Sequence, residues 1–273
     1  MVSRGVSLRS TSHFLSLRAL WRPLLLVGCA AALPACGNSL LQSTVYGSNL
    51  ESSANPQPGN VVEVEFTEAD LQQWDERIFA GHTQYSAVIE DDRSALQATT
   101  DATASLLFRQ QVIDLTATPM LEWSWKISDI FADDKDAGAQ GGDAGLERTR
   151  SGDDFPARIY VVYQPGILPT EARAINYVWS SREPVGDYWP NPFQPSATML
   201  VVESGAERIG QWITISRNVR DDFKRLHGID TDSLHGFAVM VDGDNTGSAT
   251  TSWFDYLKFT DQSAGNTAAL VSQ

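Results

Sequence analysis

From Val61 to about Asp261 the chain alternates apolar and polar residues with a period of two, the pattern of strands that bury one face. Leu121, Trp123, Trp125 and Ile127 point one way, while Glu122, Ser124 and Lys126 point the other. Ile159, Val161 and Tyr163 likewise oppose Arg158, Tyr160 and Val162. The same reading predicts strands at Val61–Phe66, Ser86–Glu90, Leu96–Thr99, Ser105–Arg109 and Ile175–Ser180, then at Met199–Glu203, Trp212–Asn218, Phe237–Asp242 and Trp253–Phe259. Gly, Pro, Asn and Asp turns separate them. Short strands so spaced predict an all-β fold, an antiparallel β-sandwich of jelly-roll type.

Helix signals are few. Thr67-x-x-Asp70 reads as a capping box, with Leu71, Trp74 and Ile78 at helical spacing behind it, and Asp221–Leu226 reads as a second short turn of helix. One segment breaks the pattern. Residues 133–152 hold Asp133-Asp134-Lys135-Asp136, Gly141-Gly142-Asp143 and the basic stretch Arg148–Arg150. They are too polar and glycine-rich to bury, so a mobile loop inserted between two strands is expected there. Residues 262–273 are expected to fray. A single domain over 61–261 is long enough to hold a core of its own.

The first sixty residues follow other rules. Arg4, Arg9, Arg18 and Arg22 precede an apolar run from Leu24 to Ala32, which ends at Leu33-Pro34-Ala35-Cys36. A run of roughly ten residues is about half of what a membrane-spanning helix needs. The order resembles a bacterial lipoprotein signal, which implies removal of residues 1–35 and lipidation of Cys36. Residues 36–60, rich in Ser, Asn, Gly and Pro, read as a flexible tether. The expected location is the cell envelope, on an outer membrane reached through the lipid anchor only. With Cys29 removed, Cys36 would be the one cysteine left, so the domain is expected to hold together without a disulfide.

Charge narrows the partners. The whole chain carries a formal −14, and loss of the leader's four arginines leaves 16 basic against 34 acidic residues, or −18. Phosphates would be repelled, so no nucleic acid and no anionic bilayer surface is expected to bind. An uncharged sugar, a metal ion or a cationic ligand remains compatible, and the domain is expected to be a monomer.

Several motifs occur together. They are Gly152-Asp153-Asp154-Phe155 with Ala157-Arg158-Ile159-Tyr160-Val161, then Tyr177-Val178-Trp179, Val202-Glu203-Ser204-Gly205, Arg217-Asn218-Val219 with Asp222-Phe223, and Asp242-x-Asp244-Asn245-Thr246. In combination, over about Phe66 to Phe259, they resemble the bacterial exported domain-of-unknown-function family DUF3047. The resemblance implies a carbohydrate-binding-like sandwich and leaves ligand and activity unnamed.

Charged residues inside the predicted central strands mark the candidate ligand site. Arg158, Glu203, Arg217 and Asp242, with Asp154 beside them, could contact a polyol on an open concave face, where Tyr160, Tyr177, Trp179 and Trp212 would offer ring faces for stacking. The structural alternative is an internal bridge from Arg158 to Asp154 or Glu203. Asp242-x-Asp244-x-Thr246-Gly247 imitates half of a calcium loop but has Trp253 where the bidentate Glu belongs, so it reads as a polar hairpin turn. A structural Ca²⁺ could instead join Glu63 and Glu65 of the first strand to Asp255 of the last. Asp255 shares the parity of Trp253, Leu257 and Phe259 and is expected to face inward, held by the metal, an arginine or backbone donors. Catalytic signals are weak. Glu203 and Asp242 could serve a glycoside hydrolase, and Tyr160, His235 and Arg158 a lyase. His82, His227 and His235 lack zinc spacing. The favoured reading is non-catalytic binding of a saccharide or polyol. A polysaccharide-active enzyme and an envelope protein–protein interaction module are the alternatives.

Overall fold

Two sheets face each other across a core of tryptophan, phenylalanine and branched aliphatic side chains. The computed structural model describes residues 61–131, 147–166 and 169–261. The first half runs β1 (Val62–Glu65), α1 (Glu68–Leu71), β2 (Asp75–Ala80), β3 (Gln84–Glu90), β4 (Arg93–Asp101), β5 (Ala104–Arg109), β6 (Ile113–Asp114) and β7 (Met120–Ile127). The second continues with β8 (Ala157–Tyr163), β9 (Arg173–Ser180), β10 (Tyr188–Pro190), β11 (Ala197–Ser204) and β12 (Ile213–Asn218). It closes with α2 (Val219–His227), β13 (Ser233–Leu234), β14 (Gly236–Asp242) and β15 (Ala249–Thr260). One sheet has the order β12-β7-β15-β4-β3, with β1 also on β15; the other has the order β10-β11-β9-β8-β14-β5-β2. The fold is the expected β-sandwich with two short helices.

The predicted parity builds the core. Leu121, Trp123, Trp125 and Ile127 from the first sheet meet Ile159, Val161, Ile175, Tyr177 and Trp179 from the second, all fully buried. Trp123 packs on Tyr177 with ring centroids 5.3 Å apart, and Trp125 on Trp179 at 6.1 Å. Such pairs add about 0.5–1.5 kcal/mol each beyond the area they bury. α2 closes one end. Asn218 caps it by accepting from the Asp221 N–H at 3.1 Å, Gly228 ends it in the left-handed conformation, and Val219 and Phe223 join the core.

Three local features differ from expectation. α1 is a single turn, and Asp75–Ala80 leaves the helical pattern to pair with β5, so Ile78 sits half-exposed on an edge strand. Pairing with β5 satisfies a row of backbone groups, which outweighs a weak helical spacing. β11 runs parallel to β9, so the sheet is mixed; residues 181–196 carry the chain back along the sheet and contribute β10 on the way. β15 has an irregularity between Phe254 and Leu257. It reverses the parity, so Phe254 and Leu257 both point inward while Trp253 and Asp255 do not.

Candidate functional site

The two outer faces contrast. On the first sheet Glu122, Ser124 and Lys126 alternate with the core residues, and Lys126 is buried between Trp212 and Trp253 and paired with Glu90 and Asp91. On the seven-stranded sheet the outward positions are apolar as well. Ala104, Leu106, Ala238 and Met240 form one cluster with Phe108 and Tyr160 beside them, and Phe155, Val178, Trp189, Met199 and Val201 form another. Among the described residues neither helix covers this face, because the apolar side chains of α1 and α2 join the core between the sheets. Backbone register sets the outward residues in rows. One row crosses all seven strands: Trp189, Met199, Asn176, Tyr160, Ala238, Phe108 and Asp75. The next holds Val201, Val178, Arg158, Met240, Leu106 and Arg77.

Polar groups are few on this face, and several have capacity to spare. Tyr160 gives its hydroxyl hydrogen to Met240 Sδ at 3.3 Å, a weak acceptor, and accepts from Arg158 Nη1 at 3.4 Å. The Asn176 amide nitrogen meets Met199 Sδ at 3.2 Å, while its Oδ1 has no partner. Asn191 Nδ2 joins Asp153 Oδ2 at 3.0 Å to the same sulfur at 3.4 Å. Asp153 Oδ1 makes no hydrogen bond and stands 3.6 Å from Arg158 Nη1. Desolvation raises the Asp153 pKa to about 6, with Arg158 and Asn191 resisting the shift.

At one end of the face lies a buried ionic network. Arg158 grips Asp242 with two donors, Nε to Oδ1 at 2.8 Å and Nη2 to Oδ2, and gives a further bond to the Asp153 carbonyl at 2.5 Å. Its guanidinium lies 4.5 Å from the Phe155 ring centroid. Burial is the largest single influence and opposes its charge, but attraction to Asp242, Tyr160 and Asp153 together with the bonds to Asp242 outweighs it and lifts its pKa well above the ordinary guanidinium value. Asp154 takes a different role. Its carboxylate accepts from the Asn245 N–H and amide and from the Thr246 N–H and hydroxyl, at 2.6–3.2 Å, and so fixes the turn after β14. Carboxylate oxygens of Asp154, Asp242 and Asp244 approach within 4.8 Å of one another, the spacing of a cation site. Arg158 already supplies the positive charge there, and Asp154 and Asp242 are engaged by N–H and O–H donors.

A family model described as "Protein of unknown function (DUF3047)" matches residues 72–258. The chain belongs to this family. The geometry brings together several of the stretches singled out in the sequence. Gly152–Phe155, Arg158 and Asp242–Thr246, far apart in sequence, form one hydrogen-bonded unit. The pair Arg217 and Asp222 forms a second. Asp222 is buried and accepts from Arg217 Nε at 2.9 Å and from the Tyr177 hydroxyl at 3.0 Å, locking α2 to the core.

Placement corrects part of the predicted site. Asp154, Arg158, Tyr160 and Asp242 do converge. Tyr177 and Trp179 do not join them, because they share the parity of Ile175 and stand in the core. Glu203 is buried against Arg208 and its own neighbour's N–H, and Arg158 bridges to Asp242 and Asp153 in place of Asp154 or Glu203. Trp212 belongs to the other sheet's outer face, where its indole N–H reaches Asp91 at 3.0 Å and its ring lies beside Arg93 and Lys126. Asp153, Asn176 and Asn191 were missed. Asn176 carried a readable signal, an amide alone in the apolar run Ala174–Trp179.

Glu63, Glu65 and Asp255 are not gathered into one ligand set. Glu63 faces Lys258 across β1–β15 at 3.5 Å, and Asp255 pairs with Arg93 at 2.8 Å on the outer side. The expected loop also begins to pack earlier than predicted. Most of it lies outside the described residues, but Glu147 is buried, accepting from the Ser180 hydroxyl and from the Ser181 N–H at 2.6 Å. Arg148 bonds Glu183 and Asp187 and covers Trp189. Cys36 and residues 262–273 lie outside the described residues as well.

Solved structures resemble this DUF3047 chain only in outline. The family 30 carbohydrate-binding module of a cellulosomal cellulase of Clostridium thermocellum is 11% identical, covers 74% of this chain and 98% of its own, and has a TM-score of 0.40. An endoglucanase from Rhodothermus marinus is 10% identical over 72% and 99%, with a TM-score of 0.37. The glycoside hydrolase domain of Endo-D from Streptococcus pneumoniae R6 is 6% identical over 69% of this chain, which spans 22% of that domain, with a TM-score of 0.34. Among curated proteins, none matches the sequence.

Proposed function

We propose that this protein is a lipid-anchored envelope module that binds a saccharide, without catalysis, on the outer face of its seven-stranded sheet. The observation that carries the reading is the row Trp189–Met199–Asn176–Tyr160–Ala238–Phe108–Asp75, in which half-buried Tyr160 and Phe108 and exposed Asp75 reach the surface while Trp189, Met199, Asn176 and Ala238 are buried beside them. A sheet face turned to water carries charged and polar residues; this one carries rings, small residues and a few amide and hydroxyl groups, the composition of a ligand site. Adjacent strands lie ~4.8 Å apart, so Tyr160 and Phe108, two strands apart, offer half-buried rings about 10 Å from each other. Binding is favoured over catalysis because Asp242 and Glu203, the carboxylates suited to acid–base work, are already held by Arg158 and Arg208.

The proposed anchor rests on Leu33-Pro34-Ala35-Cys36, and Gly37 in place of an aspartate after the cysteine favours the outer membrane as its destination. Intact-mass measurement of detergent-extracted protein should find acyl chains on Cys36, and Cys36→Ala should release the protein to the soluble fraction. For the ligand, titration calorimetry against neutral and acidic oligosaccharides is the direct test. Tyr160→Ala should weaken binding by about tenfold or more, the loss of one stacked ring. Absence of binding to every glycan would refute the reading, and release of reducing ends or unsaturated uronates would replace it with an enzyme.

A further inference from the structure

At the β10 edge of the same face lies an arginine that is not paired with an acid among the described residues. Arg148 is paired with Glu183 and Asp187, Arg158 with Asp242, Arg208 with Glu203 and Arg217 with Asp222. Arg150 has no carboxylate partner among the described residues, although the chain carries a net −14. It is exposed yet held in place. Its Nε donates to the Pro192 carbonyl at 2.9 Å, and its guanidinium lies 5.3 Å from the centroid of the Phe193 ring. Phe193 is half-exposed and equally well fixed. Buried Asn191 holds the turn beneath it by accepting from the N–H groups of Phe193 and Gln194 at 2.9 and 2.8 Å, and is itself anchored on Asp153. Asn191 and Trp189 place this turn against the outward row.

An oriented guanidinium whose terminal nitrogens make no hydrogen bond among the described residues, beside a half-exposed ring, combines two recognition elements. The fork matches a carboxylate in two-point geometry, and the ring offers a stacking surface for the apolar face of a pyranose. We infer that Arg150 and Phe193 form a subsite for a uronic acid residue, with the carboxylate on Arg150 and the sugar ring on Phe193. This rests on the saccharide reading above and adds the ligand's class to it. The acidic remainder of the surface repels a dense polyanion, so the glycan that fits carries isolated uronic acids among neutral sugars.

The test is titration calorimetry of the full domain with two oligosaccharides of equal length, one neutral and one bearing a single uronic acid. Wild type should prefer the acidic one. Arg150→Met, which keeps the stem on Phe193, should cut affinity for the acidic oligosaccharide by about tenfold or more, the usual worth of a charge-assisted bond, and leave the neutral one unchanged. Arg150→Lys should recover only part of the preference, and Phe193→Ala should weaken both. Circular dichroism and melting temperature confirm that these surface variants fold. Equal affinities in wild type, or a preference that survives Arg150→Met, would overturn the inference and leave saccharide binding standing. Failure of both oligosaccharides to bind, together with the rest of a glycan panel, would overturn both.

Discussion

Arg158 on β8 and Asp242 on β14 are diagonal neighbours: Arg158 stands opposite Met240, and its guanidinium reaches two residues along the adjacent strand to take both oxygens of Asp242. Asp242 also accepts from the Phe155 N–H at 3.2 Å. The pair therefore ties two central strands to the segment that covers one end of the outer face. Its function is cohesion, which is why charged residues survive inside apolar strands here.

Removing one partner strands the other charge in the interior. Arg158→Met or Asp242→Ala should each cost about 3–5 kcal/mol in urea unfolding. The double replacement Arg158→Met with Asp242→Leu should cost less than the sum of the singles. It should still fall short of wild type, since the Phe155 N–H loses its acceptor at about 1–3 kcal/mol.

Glu147 makes stability depend on pH. Burial raises its pKa from 4.5 to about 7, against the Ser180 and Ser181 donors and Arg182, with Glu183 adding to the rise. The folded state thus binds this proton more tightly than the unfolded chain does. Its contribution is complete below pH 4.5 and is lost as pH rises through about 7, a total of roughly 3 kcal/mol. Asp153 acts in the same direction through about pH 6. Unfolding free energies measured from pH 4.5 to 8 should fall accordingly. Glu147→Gln should flatten most of the decline, and an unchanged slope would show that Glu147 is not the titrating group.

How far the sequence carried can be read at particular residues. The alternation of Ile159 and Val161 with Arg158 and Tyr160 was legible because a strand's faces follow from parity alone. The same rule placed Tyr177 and Trp179 in the core, beside Ile175, and their polar edges disguised it. Parity failed at Asp255 because one irregularity in β15 exchanges the faces, and no residue type announces it. Asp153 and Asn191 could not be seen as partners, since 38 residues separate them and the turn that joins them takes shape only when β10 pairs with β11.

Asp255 now carries a different expectation. Its bridge to Arg93 lies toward the surface, where such pairs are worth about 0–1 kcal/mol. Asp255→Asn should therefore lower the melting temperature only slightly. Chelation with EDTA should leave the melting temperature of wild type unchanged. A drop that added Ca²⁺ restores, and that Asp255→Asn abolishes, would instead establish a metal at this site.

Tyr177 tests the division between structure and site. Its ring is buried against Trp123, and its hydroxyl donates to Asp222, which also holds Arg217 and, at 3.4 Å, Arg225. Burial and the neighbouring Asp222 carboxylate raise the phenol's pKa well above its usual value, so the hydroxyl keeps its proton and stays a donor throughout the working pH range. Tyr177→Phe removes one hydrogen bond to a charged acceptor and keeps the ring, for an expected loss of about 1.5–3 kcal/mol in stability. Since the ring lies between the sheets, no ligand on the outer face can touch it. Glycan affinity should be unchanged in Tyr177→Phe while Tyr160→Ala loses it. Parallel losses in the two variants would mean that the ligand enters between the sheets and that the outer row is not the binding surface.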